Sequence, residues 1–387
     1  MNAPSLYDLS PLLHVMLMGA VLALGPLAWV WVRQRRAEPA RRLHALTLIT
    51  LFLTFDLVLF GAFTRLTDAG LGCPDWPGCY GNASPVGAQA DIAAAQSVMP
   101  TGPVTHGKAW IEMIHRYLAT GVGVLILVLA AASWFAPGRG PGRTAVNPWW
   151  PTFTLAWVCI QGAFGALTVT MKLFPAIVTL HLLGGFVLLA LLCVQALRHA
   201  QARNPVAAVP LSPALHGLLW LTFALLALQS ALGGWVSTNY AVLACTDFPM
   251  CQNSWWPVMN FEQGFQPWRE LGRTPGGELI GFAALTAIHY VHRLMAYVVL
   301  LLLGVLAWGL NRNATLRRPS RWLAALVGLQ LATGLSNVVF DWPLVAAVMH
   351  TGGAGALVVV LTWLMFASRS RTEATDASSP TVPRPAA

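Results

Sequence analysis

Four histidines recur at matched positions of this chain, each inside a long apolar segment. They are His115, His181, His292 and His350. Each lies a short way into a segment that starts at the same surface, so at a helical rise of 1.5 Å per residue all four lie about 10 Å below it. Ionisable groups at that depth in a membrane are costly and usually functional. Two neutral imidazoles on facing helices commonly hold haem iron in helical bundles, so the pattern predicts one bis-histidine site in each half.

Two other interpretations of the histidines stay open at this point. Packed histidines can simply make interhelical hydrogen bonds, because buried polar groups are normally satisfied. Zinc is the rival metal, but a zinc site needs three or four converging ligands, whereas each half offers two histidines at one level. Four histidines at equal depth favour haem.

The two halves differ one helical turn from a predicted ligand. The motif Glu112-Met-Ile-His115-Arg116 in the first half corresponds to His289-Tyr-Val-His292-Arg293 in the second. A carboxylate beside a haem can relay protons or orient water, whereas an electron-transfer haem needs neither. We therefore interpret Glu112 as catalytic and the first half as the reaction site. The alternative is that Glu112 only pairs with Lys108 or Arg116.

An arginine directly follows the ligand in both motifs, Arg116 in the first half and Arg293 in the second. An arginine within a membrane needs a counter-charge, and a haem propionate supplies one in bidentate geometry. Both arginines are therefore predicted to bind haem propionates. Arg65 is a third candidate, although its counterpart in the second half is Ser237.

Two cysteine pairs share the spacing C-x5-C, Cys73 with Cys79 and Cys245 with Cys251. Each pair lies in a long loop on the predicted outer side of the membrane, where an oxidising compartment preserves disulfides. We predict two disulfides within these loops, closing short segments over the haem sites. A redox-active exchange role for either pair stays open.

An internal repeat positions these residues. The segment from Gly61 to Cys79 corresponds to that from Gly233 to Cys251 at an offset of 172, and the segment from Gln161 to Gly184 corresponds to that from Gln330 to Gly353 at an offset of 169. Each repeat contains four apolar segments, an even number, so both halves enter the membrane in the same direction. Parallel repeats of this kind are related by a pseudo-twofold axis along the membrane normal.

Composition identifies the chain as a membrane protein. Of its 387 residues 56% are hydrophobic and 10% charged, with a mean hydropathy of +0.62, whereas soluble proteins carry about 25% charged residues. The net charge of +9 comes from basic residues in short loops, which indicates orientation and excludes a nucleic-acid surface. The first apolar run ends in an arginine cluster without a small-residue cleavage site, so we predict no cleavable signal peptide.

Nine apolar segments are predicted to span the membrane. They are residues 11–32, 45–64, 109–134, 150–170, 175–197, 213–235, 280–309, 321–339 and 343–367. Every alternate loop is rich in arginine, which predicts a periplasmic N-terminus and a cytoplasmic C-terminus in a bacterial inner membrane. The predicted fold is an all-α polytopic membrane protein with two parallel-repeat four-helix bundles, an eight-helix core, and one extra N-terminal transmembrane helix.

Four regions are predicted along the chain. Residues 1–44 form the extra helix and a basic cytoplasmic loop, residues 45–204 the first four-helix half, residues 205–370 the second half, and residues 371–387 a disordered cytoplasmic tail rich in Ser, Pro, Thr and Ala. The first half is expected to do the chemistry and the second to carry electrons.

These motifs resemble those of the haem A synthase family over about residues 45–367. The resemblance rests on Thr64-Arg65-Leu66-Thr67-Asp68-Ala69-Gly70-Leu71 leading into Cys73-Pro74-Asp75-Trp76-Pro77, on the two histidine–arginine motifs, and on His181 and His350. It implies that the C8 methyl of haem O is oxidised to a formyl group, giving haem A for haem–copper oxidases. The extra N-terminal helix departs from the family pattern.

The resemblance also implies residue roles. A haem b would be held by His292 and His350, the substrate haem O would lie near His115 and His181, and Glu112 matches the catalytic-site glutamate of the family. Cys73 and Cys79 match a cysteine pair that only part of the family has.

Partners and rival functions follow from the same comparison. Haem O synthase is an expected partner because a hydrophobic haem is best passed on within the lipid membrane, and a homo-oligomer is compatible with the sequence. The electron donor is not identified, since the sequence carries no flavin, nicotinamide or iron–sulfur motif. Two rivals are a quinol-linked two-haem b-type electron carrier and a haem-handling module without catalysis.

Overall fold

Helices dominate the computed structural model, which describes residues 10–135 and 146–370. Nine helices in these ranges are long and apolar enough to cross a membrane. In chain order the helices are α1 Ser10–Gln34, α2 Pro39–Leu66, α3 Gln89–Val98, α4 His106–Phe135, α5 Trp149–Thr170, α6 Pro175–Arg203, α7 Pro213–Thr238, α8 Phe261–Gly264, α9 Phe282–Asn311, α10 Arg317–Val339 and α11 Leu344–Ala367. All except α3 and α8 are candidate spans, which confirms the predicted all-α polytopic fold.

The helix ends follow local chemistry. Helices α2, α6 and α7 begin with a proline, whose missing N–H costs nothing in the first turn. The hydroxyl of Ser212 caps α7 by accepting a hydrogen bond from the Leu215 amide at 3.3 Å. The connections between α5 and α6 and between α10 and α11 are four residues each, residues 171–174 and 340–343, so these pairs form tight helical hairpins.

The long helices pack in two sets. Helix α2 packs on α4 and α6, and α5 on α4 and α6; in the second set α9 packs on α7 and α10, and α10 on α11. Helices α6 and α11 lie where the sets meet, because α6 packs on α7 and α11 while α11 packs on α2 and α7. The largest buried apolar cluster runs through this junction and the second set and includes Leu189, Leu226, Leu303 and Leu361.

Helix α1 packs chiefly on α4. The two backbones approach closely at Gly19, where an added Cβ would lie 2.9 Å from the backbone nitrogen of Gly121. Val15 of α1 belongs to the same buried cluster as Cys73 and Cys79. The extra helix therefore contacts both the first helix set and its cysteine-bearing loop.

Contacts between repeat-matched residues mark the pseudo-twofold axis. The Arg65 guanidinium donates to the carbonyl oxygen of Ser237 at 2.5 Å, and the Tyr240 hydroxyl donates to the Asp68 carboxylate at 2.6 Å. Both pairs are separated by the repeat offset of 172. Only residues near a twofold axis can touch their own counterparts, so this polar cluster lies on the axis between the halves.

The Arg65–Asp68–Tyr240 cluster is held by several interactions. Arg65 pairs with Asp68 at 3.3 Å and lies 4.2 Å from the centroid of the Tyr240 ring. Burial raises the pKa of Tyr240, which lies just beyond the end of α7, so its hydroxyl keeps its proton at neutral pH and remains a donor. The cluster therefore links the two halves at the loop-bearing end of the bundle.

The structure departs from the predictions in minor respects. The strands β1 Val209–Leu211 and β2 Ser368–Ser370 form a short parallel pair that the sequence did not predict. Several spans extend beyond their predicted ends, as α2 does by starting at Pro39, because polar residues continue a helix beyond its apolar part. The predicted disordered tail at residues 371–387 and the arginines of the loop at residues 136–145 lie outside the described residues.

Candidate functional site

The four predicted ligands meet in two pairs. His115 on α4 lies close enough to His181 on α6 for the two imidazoles to interact electrostatically, and the same holds for His292 on α9 and His350 on α11. All four are partly buried. Within residues 10–135 and 146–370 no three His, Cys, Asp or Glu side chains converge as metal ligands, which argues against the zinc alternative.

A glycine on the neighbouring helix faces each of the four imidazoles. The facing pairs are Gly61 with His115, Gly165 with His181, Gly233 with His292 and Gly334 with His350. A Cβ at these glycines would lie between 3.0 and 3.5 Å from an imidazole ring atom. A side chain at Gly61, Gly233 or Gly334 would crowd the ring, whereas a Cβ at Gly165 would make an ordinary contact. Paired imidazoles backed closely by a neighbouring helix fit a group bound between them.

The second-half histidines contact polar side chains. The Thr333 hydroxyl oxygen lies 3.0 Å from Nδ1 of His350, and the amide of Gln330 donates to the His350 carbonyl oxygen at 2.9 Å. The amide nitrogen of Gln229 lies 3.1 Å from Nδ1 of His292 and 3.2 Å from the His292 carbonyl oxygen. Both imidazoles are thereby fixed in orientation.

In the first half, apolar residues stand at the positions that match Gln229 and Thr333. Leu57 stands where the second half has Gln229, and Phe164 stands where it has Thr333. Phe60 stacks on His115 with ring centroids 6.2 Å apart and planes inclined by 9°. Nδ1 of His181 is buried and has no side-chain hydrogen-bond partner among the described residues, although the ring interacts with the Gln161 backbone and with His115.

Glu112 lies beneath the first cysteine loop and is 4% exposed. One carboxylate oxygen accepts a hydrogen bond from the Cys73 amide at 2.7 Å, and the other accepts from the Arg116 guanidinium at 2.5 Å. The pairing with Arg116 is the one that the alternative interpretation anticipated. His289 occupies the matching place and accepts from Nε of Arg293 at 3.3 Å.

Arg116 and Arg293 hold the two cysteine loops by their carbonyl oxygens. Arg116 donates to the carbonyls of Asp75, Pro77 and Gly78 at 2.5 to 3.2 Å. Arg293 donates to the carbonyls of Cys245, Asp247 and Met250 at 2.5 to 3.1 Å. Two carbonyls of each set correspond through the repeat, Asp75 with Asp247 and Gly78 with Met250. Contact of either guanidinium with a propionate stays a prediction.

Both predicted disulfides are formed. Cys73 and Cys79 are joined with a Cα separation of 4.9 Å, and Cys245 and Cys251 with a separation of 4.7 Å. All four cysteines are fully buried. Each bridge closes the loop whose carbonyls bind the arginine that follows a histidine ligand, so each loop is tied to the helix that carries the ligand.

Sequence reasoning missed the side chains that surround the imidazoles. Thr333 and Gln229 were assigned no role, and the glycines served only to mark the repeat. A usable signal was present, because the repeat aligns Thr333 with Phe164 and Gln229 with Leu57. A polar-to-apolar difference beside a matched ligand indicates that the two sites work differently.

Comparison with known proteins agrees with this geometry. Residues 44–362 match the family model described as cytochrome oxidase assembly protein. The haem A synthase of Shewanella oneidensis is 41% identical over 315 residues, covering 81% of this chain and 92% of that protein. The haem A synthases of Symbiobacterium thermophilum and Halalkalibacterium halodurans are 28% and 25% identical, covering 84% and 81% of this chain and 95% and 93% of their own lengths.

Proposed function

The chain belongs to the cytochrome oxidase assembly family of haem A synthases, and on that premise we propose that it oxidises haem O to haem A within the membrane. The reaction converts a porphyrin methyl group to a formyl group in successive oxygenations, with dioxygen as the oxidant and with electrons from an external donor. The observation that carries the proposal is the pairing of histidines in both halves, together with the replacement of a carboxylate by an imidazole at the matched position 112/289. One half is thereby suited to chemistry and the other to holding a cofactor.

The first half, residues 45–204, is proposed to bind the substrate. His115 and His181 would hold the iron of haem O from two sides, since they form a close pair on α4 and α6. Phe60 offers apolar surface beside His115, which suits a hydrophobic macrocycle. Glu112, one turn from His115, is the carboxylate available for proton transfer at this end of the pocket.

The state of Glu112 limits how it can act. Both of its oxygens are engaged, one by the Cys73 amide and one by Arg116. A carboxylate held in this way has a fixed position, and it can exchange a proton only by breaking or sharing one of these bonds. We assign Glu112 two tasks, to anchor the first cysteine loop and to relay protons at the substrate site.

The second half, residues 205–370, is proposed to bind haem b through His292 and His350. When bound, that haem supplies one-electron transfer towards the substrate site. Gln330 holds the backbone of α11 at His350, and Gln229 holds the backbone of α9 at His292. His289 replaces the carboxylate, which leaves this site without an acid one turn from the ligand.

The two cysteine loops are proposed to cover the haem sites. Arg116 and Arg293 fix the loops by their carbonyl oxygens, so the loops and the ligand-bearing helices form single units. Loops that cover this end of the helices would restrict the access of water to the reacting groups. The arginine-rich loops among the described residues lie at the opposite end of the helices, which supports an N-terminus in the periplasm and a C-terminus in the cytoplasm of a bacterial inner membrane.

Haem O synthase and a separate electron donor are proposed partners. The substrate is hydrophobic, so transfer between membrane proteins avoids exposing it to water. The electron donor is proposed to be a separate molecule because the sequence carries no flavin, nicotinamide or iron–sulfur motif.

Extraction and identification of haems tests the proposed function. The full chain would be expressed in a host that makes haem O and lacks its own haem A synthase, and haems would be extracted from purified protein and membranes. Haem A should appear only with the chain present. His181→Ala should abolish it, whereas the matched control His216→Ala, which changes a histidine near the other end of the bundle, should not. Two tightly held haem b groups without haem A would instead indicate an electron carrier.

A further inference from the structure

A single hydroxyl group determines which nitrogen of His350 is free. Thr333 lies on α10 and is 8% exposed, and its hydroxyl donates to the carbonyl oxygen of Leu329 at 2.7 Å. The same oxygen lies 3.0 Å from Nδ1 of His350. When the hydroxyl donates its proton to the Leu329 carbonyl, its oxygen is free to accept a hydrogen bond from Nδ1–H of His350. Nε2 of His350 is then unprotonated and able to bind a metal.

We propose that Thr333 is the positioning residue that commits His350 to permanent haem ligation. The inference rests on the proposed assignment of haem b to the second half. Metal-bound histidines usually donate their second N–H to an oxygen, which fixes the ring and makes the ligand more basic. Thr333 supplies that oxygen before any haem arrives, so no reorientation of the ring accompanies binding.

The first half has no hydroxyl group at the corresponding position. Phe164 replaces Thr333, and Nδ1 of the buried His181 has no side-chain partner among the described residues. Both His181 and His350 interact with the backbone of the matched glutamine, Gln161 or Gln330, so the difference lies in the side chain at position 164/333. A ligand without that side-chain partner suits a haem that must enter as substrate and leave as product. The Thr333/Phe164 difference separates a resident site from an exchanging one.

Gln229 does not act in the same way. Its amide nitrogen lies 3.1 Å from Nδ1 and 3.5 Å from Nε2 of His292. A donor within reach of both ring nitrogens does not determine which of them carries the proton. The inference therefore concerns Thr333 alone.

The test compares three variants of the full-length protein purified in detergent. Thr333→Val removes the hydroxyl and keeps the side-chain shape, whereas Thr333→Ser keeps the hydroxyl. Thr222→Val is the matched control, because Thr222 is a buried threonine of the same half whose hydroxyl also bonds to the carbonyl four residues earlier. The readouts are the midpoint potential of the bound haem, its ferric electron paramagnetic resonance spectrum, and its rate of transfer to an excess of apomyoglobin.

Of the three variants, only Thr333→Val is expected to change the properties of the bound haem. Its haem should leave about 10–100-fold faster, the range seen when outer-sphere partners of metal ligands are removed. The midpoint potential should become more positive, because a less basic imidazole stabilises the ferric iron less, and the resonance spectrum should shift. Thr333→Ser should restore all three properties, and Thr222→Val should match the unchanged protein.

Two outcomes would overturn the inference, and they are distinguishable. If Thr333→Val leaves potential, spectrum and transfer rate unchanged while His350→Ala loses the haem, the positioning role is wrong and the proposed haem b site stands. If His350→Ala retains the full b-type spectrum, the haem b assignment itself fails and the role of Thr333 falls with it. If Thr333→Val loses haem entirely, Thr333→Ser decides the cause. Retention of haem by Thr333→Ser shows that the hydroxyl is required, because a purely steric role would be disturbed more by the smaller serine.

Discussion

Replacing Glu112 should have two separable consequences, one for the cysteine loop and one for the chemistry. The carboxylate accepts from the Cys73 amide at 2.7 Å and from Arg116 at 2.5 Å, and it is 4% exposed. Hydrogen bonds to a charged group contribute roughly 1.5–3 kcal/mol each, and removing one member of a buried ion pair costs about 3–5 kcal/mol. Glu112→Ala should therefore weaken the attachment of the loop by about 3 kcal/mol, and Glu112→Gln by less.

Amide hydrogen exchange measures the first consequence. A loss of about 3 kcal/mol corresponds to an increase of about a hundredfold in the opening of the Cys73 amide. Exchange in the matched loop around Cys245 should not change, which provides an internal control. Extraction of haems measures the second consequence, and both variants should stop short of haem A while the haem b spectrum persists. Normal haem A production by Glu112→Ala would refute the catalytic role, and unchanged exchange at Cys73 would refute the anchoring role.

Two further predictions concern the glycines and the axis. Gly334→Val should abolish the bound b-type spectrum, because even its Cβ would lie 3.2 Å from His350. Gly165→Val should keep that spectrum and lose haem A. Optical spectra and haem extraction measure both effects, and identical phenotypes of the two variants would contradict the division of roles. Tyr240→Phe removes the hydroxyl that donates to Asp68 and should cost about 1 kcal/mol. It should lower the melting temperature in detergent without altering the haem spectrum; an unchanged melting temperature would show that the contact does not join the halves.

The membrane architecture was predictable from the sequence because hydropathy and arginine placement act over whole segments. Each predicted span corresponds to one of the nine long helices, and the short hairpin loops lie where they were expected. The pairing of His115 with His181 was predictable for a similar reason, since repeat position and helical depth together fix which residues share a level. The parallel strands β1 and β2 were not, because three residues carry too little pattern.

The hydrogen-bond partners of the polar side chains were harder to predict. Arg116 had an evident need for negative partners, but three loop carbonyls and Glu112 meet it in the structure. Backbone carbonyls leave no trace in a sequence, so a loop that folds back onto a helix is invisible to motif reasoning. Thr333 was overlooked because a threonine on an apolar helix normally bonds only to its own backbone.

The most direct test of the account measures which half holds the permanent haem. Optical spectra and extracted haems would be compared for purified His350→Ala and His181→Ala variants of the full chain. The account predicts that His350→Ala loses the bound haem b, and that His181→Ala keeps one haem b per chain and makes no haem A. Retention of haem b by His350→Ala, or its loss from His181→Ala alone, would contradict the division of the molecule into a cofactor half and a reaction half.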